Sequence, residues 1–243
     1  MREPRIYLEH DLQCEQTLAL PMDAVRHISL VLRMRQGHRL WLFNGLGGSY
    51  LAEILSISKR QVEVNVLEFS DINPESSLQI TLMQAVSRSQ HMDYTLQKAV
   101  ELGVTRIIPV ISEFGNVRIE QAKIDKKSSH WRKIIINGCE QSGRTKVPEL
   151  LAPIPFAQGM QDDTHTMKLL LHPGAQQRLS NLQVDDASLC LLSGPEGGFS
   201  QSEIDLAIDS DYIPVELGPR VLRTETAAVA AISACQTLWG DMG

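Results

Sequence analysis

Aromatic residues are scarce: three tryptophans, four tyrosines and five phenylalanines make up 5% of the 243 residues. An RNA platform that stacks bases on a row of exposed rings is therefore not expected. Cysteine is sparse as well. Cys14, Cys139, Cys190 and Cys235 are scattered, with no Cys-x-x-Cys pair and no histidine at metal-ligand spacing. Neither a disulfide framework nor a zinc site is expected, and no metal is assigned. The four are read as free thiols of a reducing compartment. Met1-Arg-Glu-Pro-Arg5 lacks the apolar core of a signal peptide. No apolar run approaches the ~18 residues that a membrane span needs. A cytoplasmic chain without a membrane partner is expected.

An excess of positive charge is also missing, since the net charge is −6. That argues against a general nucleic-acid binder, but the average hides a polarity. Between Arg118 and Lys146 eight bases (Arg118, Lys123, Lys126, Lys127, Arg132, Lys133, Arg144, Lys146) face three acids (Glu120, Asp125, Glu140), a balance of +5. From Pro153 to Gly243 four bases face twelve acids, a balance of −8. A basic segment on an acidic body can hold phosphates locally, although charge runs commonly form a solvated helix face. Arg33, Arg35 and Arg39, with His27 and His38, form a second acid-free stretch. The hydrophobic content, 43%, suffices for a core without staples.

Two organisational halves are legible. Residues 1–72 read as β-rich. Arg39–Phe43 is followed by Asn44-Gly45, a hairpin signal that Gly47-Gly48 loosens. Tyr50–Leu55 and Gln61–Val66 follow, the latter alternating apolar and polar with period two. Short strands joined by turns suggest a small barrel. Val25, Ile28 and Leu32 fit a short amphipathic helix over 25–34. Asp71–Ser77, polar and containing Pro74, reads as a linker.

Residues 73–243 alternate strands and helices. Strands are expected at Leu78–Val86, Arg106–Ile111, Lys168–Leu171 and Ser188–Leu192, and helices at Asp93–Leu102, closed by Gly103, and at Ser128–Gln141. Such βαβ alternation implies an α/β domain with a mainly parallel sheet.

Two segments carry chemistry. In the first, a buried strand runs into Gly194-Pro-Glu-Gly-Gly198, and Ser200 with Glu203 forms a capping box that starts a helix. Glycines at the carboxyl end of a parallel strand let backbone groups approach a ligand. The loop is neither a phosphate loop nor a dinucleotide fingerprint, and a tight turn alone would explain its glycines. In the second, a strand ending at Leu217 meets Gly218-Pro219, and a loop with Arg220, Arg223, Thr224, Glu225 and Thr226 feeds an alanine-rich helix over 225–238. Thr224 is expected as its N-cap. Arg220 and Arg223 read either as site residues or as surface partners of Glu225.

These residues, together with Gln97-Lys-Ala-Val-Glu-Leu-Gly103, Glu140-Gln-Ser-Gly-Arg144, Pro148, Leu171-His172-Pro173, Arg5-Ile-Tyr7 and His27–Arg33, resemble the RsmE family. Its members are the 16S ribosomal RNA uracil-N3-methyltransferases of the SPOUT class. The resemblance implies an N-terminal PUA-like β-barrel, a C-terminal α/β domain tied in a trefoil knot, and a homodimer acting on 16S ribosomal RNA of the small subunit. Knots are rare among folds, so the pattern alone would not suggest one. It also implies S-adenosylmethionine as cofactor, bound by Leu171, His172, Gly194, Pro195, Glu196, Gly197, Gly198, Leu217, Gly218, Leu222, Thr224 and Thr226. Arg5, Arg33, Arg35, Arg39, Arg88, Lys133 and Arg144 are the expected RNA contacts. Related chains commonly carry a lysine near His91 and an arginine near Phe114, so phosphate contacts are not expected at those two positions.

Arg220, Arg223 and Glu225 are the catalytic candidates. An arginine can stabilise a uracil anion but is a poor base. The proton acceptor stays open among Glu196, Glu225 and His172. The alternatives are another SPOUT enzyme acting on a ribose 2′-oxygen or a transfer RNA base, and a non-catalytic ribosome-assembly factor.

Overall fold

The computed structural model describes residues 3–115, 121–184 and 186–243. Arg118 and Glu120 of the basic segment lie outside the described residues, as does the side chain of Lys123. The chain forms two compact units, one of Met1–Glu75 with Cys139–Val147, the other of Ser76–Gly138 with Pro148–Gly243.

The first unit holds β1 (Arg5–Tyr7), β2 (Thr17–Ala19), α1 (Met22–Arg26), β3 (Arg39–Phe43), β4 (Ser49–Ile57) and β5 (Val62–Ser70). Its five strands lie in the order β1-β3-β4-β5-β2, all antiparallel except the β1–β3 pair. The period-two alternation settles which face of β5 is covered: Val62, Val64 and Val66 are fully buried while Glu63 and Asn65 stay half-buried. Each buried valine contributes about 1.5–3 kcal/mol, and a one-residue slip would turn all three to solvent. They pack with Ile6, Leu40, Leu42 and Ile54, and with Val25 and Ile28. The helix expected over 25–34 is instead α1 followed by a π-helical turn, His27–Val31.

The segment read as a linker is anchored rather than free. Glu75 accepts hydrogen bonds from Arg144 Nε (2.9 Å) and Nη2 (2.6 Å) and from the backbone N–H groups of Thr145 (3.2 Å) and Lys146 (3.1 Å). Glu140 accepts from the Tyr7 N–H at 3.0 Å, and burial raises its pKa.

The second unit holds β6 (Gln79–Ala85), α2 (Ser89–Glu101), β7 (Arg106–Ile111), most of α3 (Gln121–Ser142), β8 (Glu149–Leu150), β9 (Ile154–Pro155), α4 (Phe156–Asp162), β10 (Met167–Leu171), β11 (Ser188–Ser193), α5 (Gln201–Asp209), β12 (Ile213–Val215) and α6 (Thr224–Trp239). The strand order is β12-β10-β11-β6-β7-β8, with β9 also on β7, and every pair is parallel. Six of the seven β6 residues are buried, as expected of a strand covered on both faces. On one face α6 packs its Ala228, Ala231, Ile232 and Cys235 towards α2, whose Met92, Leu96, Ala99 and Val100 are fully buried. Small residues allow that close approach. Gln236 locks the pair by donating to the Leu102 carbonyl (2.9 Å) and accepting from the Ser76 hydroxyl (2.8 Å).

Two boundaries differ from the sequence expectation. β12 ends at Val215, two residues before Leu217, because the next backbone N–H, that of Glu216, donates to Gln177 instead. α2 begins at Ser89 rather than Asp93. Its N-terminal flank is held from elsewhere in the chain, the Arg88 N–H donating to Glu196 at 3.0 Å.

Candidate active site

Parallel pairing brings the carboxyl ends of β10, β11 and β12 to one edge of the sheet. Leu170 is in register with Leu192, and Leu171 with Val215. The three chain segments leaving those ends wall a cavity of about 600 Å³. In open α/β sheets ligands bind at this edge.

The segment after β11 turns sharply, the Gly198 N–H donating to the Pro195 carbonyl at 3.0 Å. Gly197 sits where a Cβ would come within 3.0 Å of the Phe114 Cβ and 3.2 Å of its carbonyl oxygen. Any side chain there would push the turn away. Glu196 points back to the start of α2, so its carboxylate caps a helix end. The Ser200–Glu203 capping box forms as expected, and Glu203 also accepts from the Glu113 N–H at 2.8 Å.

The segment before α6 is opened by Gly218, whose φ of +111° lies in the region that favours glycine. Glu216 accepts from the Gly174 N–H (3.1 Å), and the His172 N–H donates to the Val215 carbonyl (3.1 Å), so the segments after β10 and β12 are tied together. Thr224 is not the N-cap; Arg223 takes that place, with no side-chain cap. Thr224 is the first helical residue, and its hydroxyl donates to the Gly194 carbonyl at 2.5 Å, joining α6 to the turn after β11.

Of the expected site residues, Leu171, His172, Gly194, Pro195, Glu196, Gly198, Leu217, Gly218, Leu222 and Thr224 line the cavity, together with Arg220, Arg223 and Glu225. Gly197 and Thr226 are not on its wall. Gly197 packs against Phe114, and Thr226, two helical residues beyond Thr224, is turned roughly 200° away and exposed. Among the described residues Glu225 faces neither Arg220 nor Arg223; its Oε2 lies 2.6 Å from His91 Nδ1.

Sequence reasoning missed three contributors. His91 lines the cavity from the first turn of α2, just beyond the carboxyl end of β6. Ser193, the last residue of β11, is 1% exposed, and its hydroxyl has no partner among the described residues. Gln84, fully buried in β6, donates to the Ala85 carbonyl (3.0 Å) and approaches Thr224 Oγ1 (3.4 Å). A polar residue within a strand buried on both faces is a usable signal for Gln84.

The expected RNA contacts differ in setting. Arg33, Arg35, Arg39, Arg88 and Lys133 are exposed. Arg5 is half-buried, its guanidinium 5.5 Å from the centre of the Phe43 ring. Arg144 is not a surface contact. It is 4% exposed and committed to Glu75, as a buried guanidinium must be to a carboxylate.

A second polar cluster lies within the sheet of the second unit. Ligand atoms of Asp163, His165 and Cys190 lie within 4.8 Å of one another. Each is already engaged: His165 Nδ1 with Asp163, His165 Nε2 with Thr81 (3.1 Å), and the Tyr212 hydroxyl with both Asp163 and Cys190. Burial pushes the Cys190 thiol and the Tyr212 phenol well above their ordinary pKa values. The arrangement reads as a satisfied network.

Comparison with known proteins is specific. The sequence profile of an RNA methyltransferase domain matches residues 74–236, and that of an RNA methyltransferase PUA domain matches residues 20–67. The chain is 38% identical to the ribosomal RNA small subunit methyltransferase E of Buchnera aphidicola, over 99% of its own length and 98% of that protein. It is 30% identical to the Bacillus subtilis protein of the same name, over 90% and 89%. Among solved structures, it resembles a Legionella pneumophila protein described as a methyltransferase, with the cofactor SAM bound, at 42% identity and a TM-score of 0.96, covering 99% and 100% of the two chains. It also resembles the Neisseria gonorrhoeae ribosomal RNA small subunit methyltransferase E bound to S-adenosylmethionine, at 39% identity and a TM-score of 0.93, covering 100% of both.

Proposed function

Because the chain belongs to the RNA methyltransferase family, among the ribosomal RNA small subunit methyltransferases E, we propose that it moves the methyl group of S-adenosylmethionine to N3 of one uridine in 16S ribosomal RNA. The observation that carries this reading is the convergence of the segments after β10, β11 and β12 on one cavity.

The residues fit the cofactor. A volume of about 600 Å³ suits a nucleoside-sized ligand. The wall offers the Ser193 hydroxyl, buried and without a partner among the described residues, and at Gly198 and Gly218 a Cβ would meet nothing within 4 Å, which leaves backbone groups approachable. Leu171, His172, Gly194, Pro195, Glu196, Gly198, Leu217, Gly218, Leu222 and Thr224 would hold the cofactor, which supplies a methyl group already activated on a sulfonium. The task left to the protein is alignment and stabilisation of charge on the base, and alignment alone can supply up to roughly 7–11 kcal/mol. Arg220 and Arg223, exposed at the cavity mouth, are suited to face a uracil anion.

RNA phosphates would be held by Arg33, Arg35 and Arg39 of the first unit, with Arg5, and by Arg88 and Lys133 of the second. The chain would act in the cytoplasm as a homodimer, without a metal. No helix among the described residues is long and apolar enough to cross a membrane. A trefoil knot accords with the return of α6 from beyond the edge strand β12 to pack on α2.

The test is mass-mapping of ribosomal RNA from a strain lacking the gene, complemented by this chain. The expected result is a single restored 3-methyluridine in 16S RNA. A mark on a ribose or on transfer RNA would reassign the substrate. Absence of any mark, with no calorimetric binding of S-adenosylmethionine, would leave a binding module.

A further inference from the structure

We propose that His91 and Glu225 form the proton-accepting pair of this reaction, His91 Nε2 taking the N3 proton of the uracil and Glu225 positioning the imidazole. The inference rests on the methyltransferase reading above and resolves the choice that the sequence left open.

Both side chains line the cavity, from opposite elements: His91 from the first turn of α2, Glu225 from the first turn of α6. His91 Nδ1 lies 2.6 Å from Glu225 Oε2, and the side chains are 27% and 15% exposed. The 2.6 Å contact is an ion-pair approach, Glu225 Oε2 making no hydrogen bond of regular geometry among the described residues. A carboxylate so placed would favour the proton on Nδ1 and the lone pair on Nε2, which has no hydrogen-bond partner there. The backbone is held as well, the His91 carbonyl accepting from the Thr95 hydroxyl at 2.9 Å. A base oriented by a third group is the arrangement that general-base catalysis uses.

The rival acceptors are otherwise engaged. Glu196 accepts from the Arg88 N–H, and Glu216 from the Gly174 N–H. His172, the other imidazole on the wall, is tied through its backbone to Val215 and has no carboxylate partner among the described residues. Carboxylates alone are too acidic to take an imide proton efficiently near neutral pH, whereas an imidazole titrates in the working range.

The step balances. The uracil N3–H bond breaks and its proton passes to His91 Nε2. The N3 electron pair forms the bond to the methyl carbon, and the carbon–sulfur pair stays on sulfur, leaving a neutral thioether. The imidazolium, held opposite Glu225, then returns its proton to water. Arg220 and Arg223 face the base as charge builds on its oxygens.

The charged and titratable groups that share the cavity wall with His91 are Glu225 of α6, Glu196 of the turn after β11, Glu216, Arg220 and Arg223 of the segment before α6, and His172 after β10. A pH profile must therefore be read against variants. His91→Asn should bind S-adenosylmethionine and RNA within about threefold of wild type while single-turnover methylation falls by roughly 10²–10⁴. The acidic limb of the rate–pH profile should vanish with it. His91→Ala should be partly rescued by added imidazole, which a merely structural role would not allow. Glu225→Gln should lower the single-turnover rate while leaving the affinity for S-adenosylmethionine unchanged.

A His91→Asn enzyme with the wild-type rate and an unchanged acidic limb would overturn the proposal, as would a Glu225→Gln enzyme with the wild-type single-turnover rate. His91→Gln serves as the second variant if the first fails to fold. Should the wild-type chain itself neither bind S-adenosylmethionine nor methylate, the broader reading falls, an outcome distinct from active enzyme without histidine dependence.

Discussion

At the Glu75 carboxylate, Oε2 takes two hydrogen bonds from the Arg144 guanidinium and Oε1 takes two from backbone N–H groups, with the pair's side chains only 7% and 5% exposed. Removing one member would strand a buried charge, a loss of about 3–5 kcal/mol. Glu75→Ala should therefore lower the urea midpoint without altering the affinity of folded protein for S-adenosylmethionine. An unchanged midpoint would mean that the guanidinium finds water instead. Arg223 is the opposite case: exposed, and on the cavity wall. If it acts on charge that develops only during transfer, Arg223→Ala should cut kcat by about 10²–10³ and leave cofactor affinity within a few-fold. An equal loss in both would assign Arg223 to binding alone.

Three strands meet at Asp163, which precedes β10 and bonds to Tyr212 just before β12, while Cys190 of β11 lies beneath. Burial pushes the Asp163 carboxyl up, but hydrogen bonds from His165 and Tyr212 outweigh it and hold the pKa at about 2, against an ordinary 3.8. Because the folded value is the lower one, this stability is present above pH ~4 and is lost as pH falls towards 2. The stability gap between wild type and Asp163→Asn, measured by urea unfolding, should narrow by about 2 kcal/mol from pH 5 to pH 2. A constant gap would remove the carboxylate from the account. Neither this network nor the His91–Glu225 pair is legible along the chain, because each joins elements far apart in sequence. What is legible is local. The alternation of β5, the Ser200–Glu203 capping box and the glycines after β11 each declare themselves within a few residues. Thr224 looks like an N-cap by the same local rule and is claimed instead by Gly194, thirty residues away. Likewise Asp71–Ser77 has the composition of a linker, yet Glu75 is held by a residue 69 positions away. The loops that wall the cavity could be picked out because their residues form contiguous motifs; the proposed proton acceptor could not, because its two halves lie on different helices.

For the molecule as a whole, a net charge of −6 sets a problem that its proposed substrate makes acute. RNA repels the average surface, so affinity must come from places where bases outnumber acids. Arg33, Arg35 and Arg39 are exposed and are not diluted by acids in their stretch of sequence; across the strand pair, only Glu53 lies in register opposite Arg39. Each phosphate neutralised on binding releases condensed counterions, and log affinity then falls with log salt by about 0.7–0.9 per contact. Replacing the three arginines with glutamine should weaken RNA binding uniformly across sequences and make the slope shallower by about 2, while S-adenosylmethionine affinity stays as it was. A salt titration of RNA binding, read by filter retention or fluorescence anisotropy, measures both terms at once. If affinity fell with the slope unchanged, the arginines would support the fold of the first unit rather than touch phosphates. If neither moved, the RNA would be gripped elsewhere, with Arg88 and Lys133 of the second unit the next residues to replace.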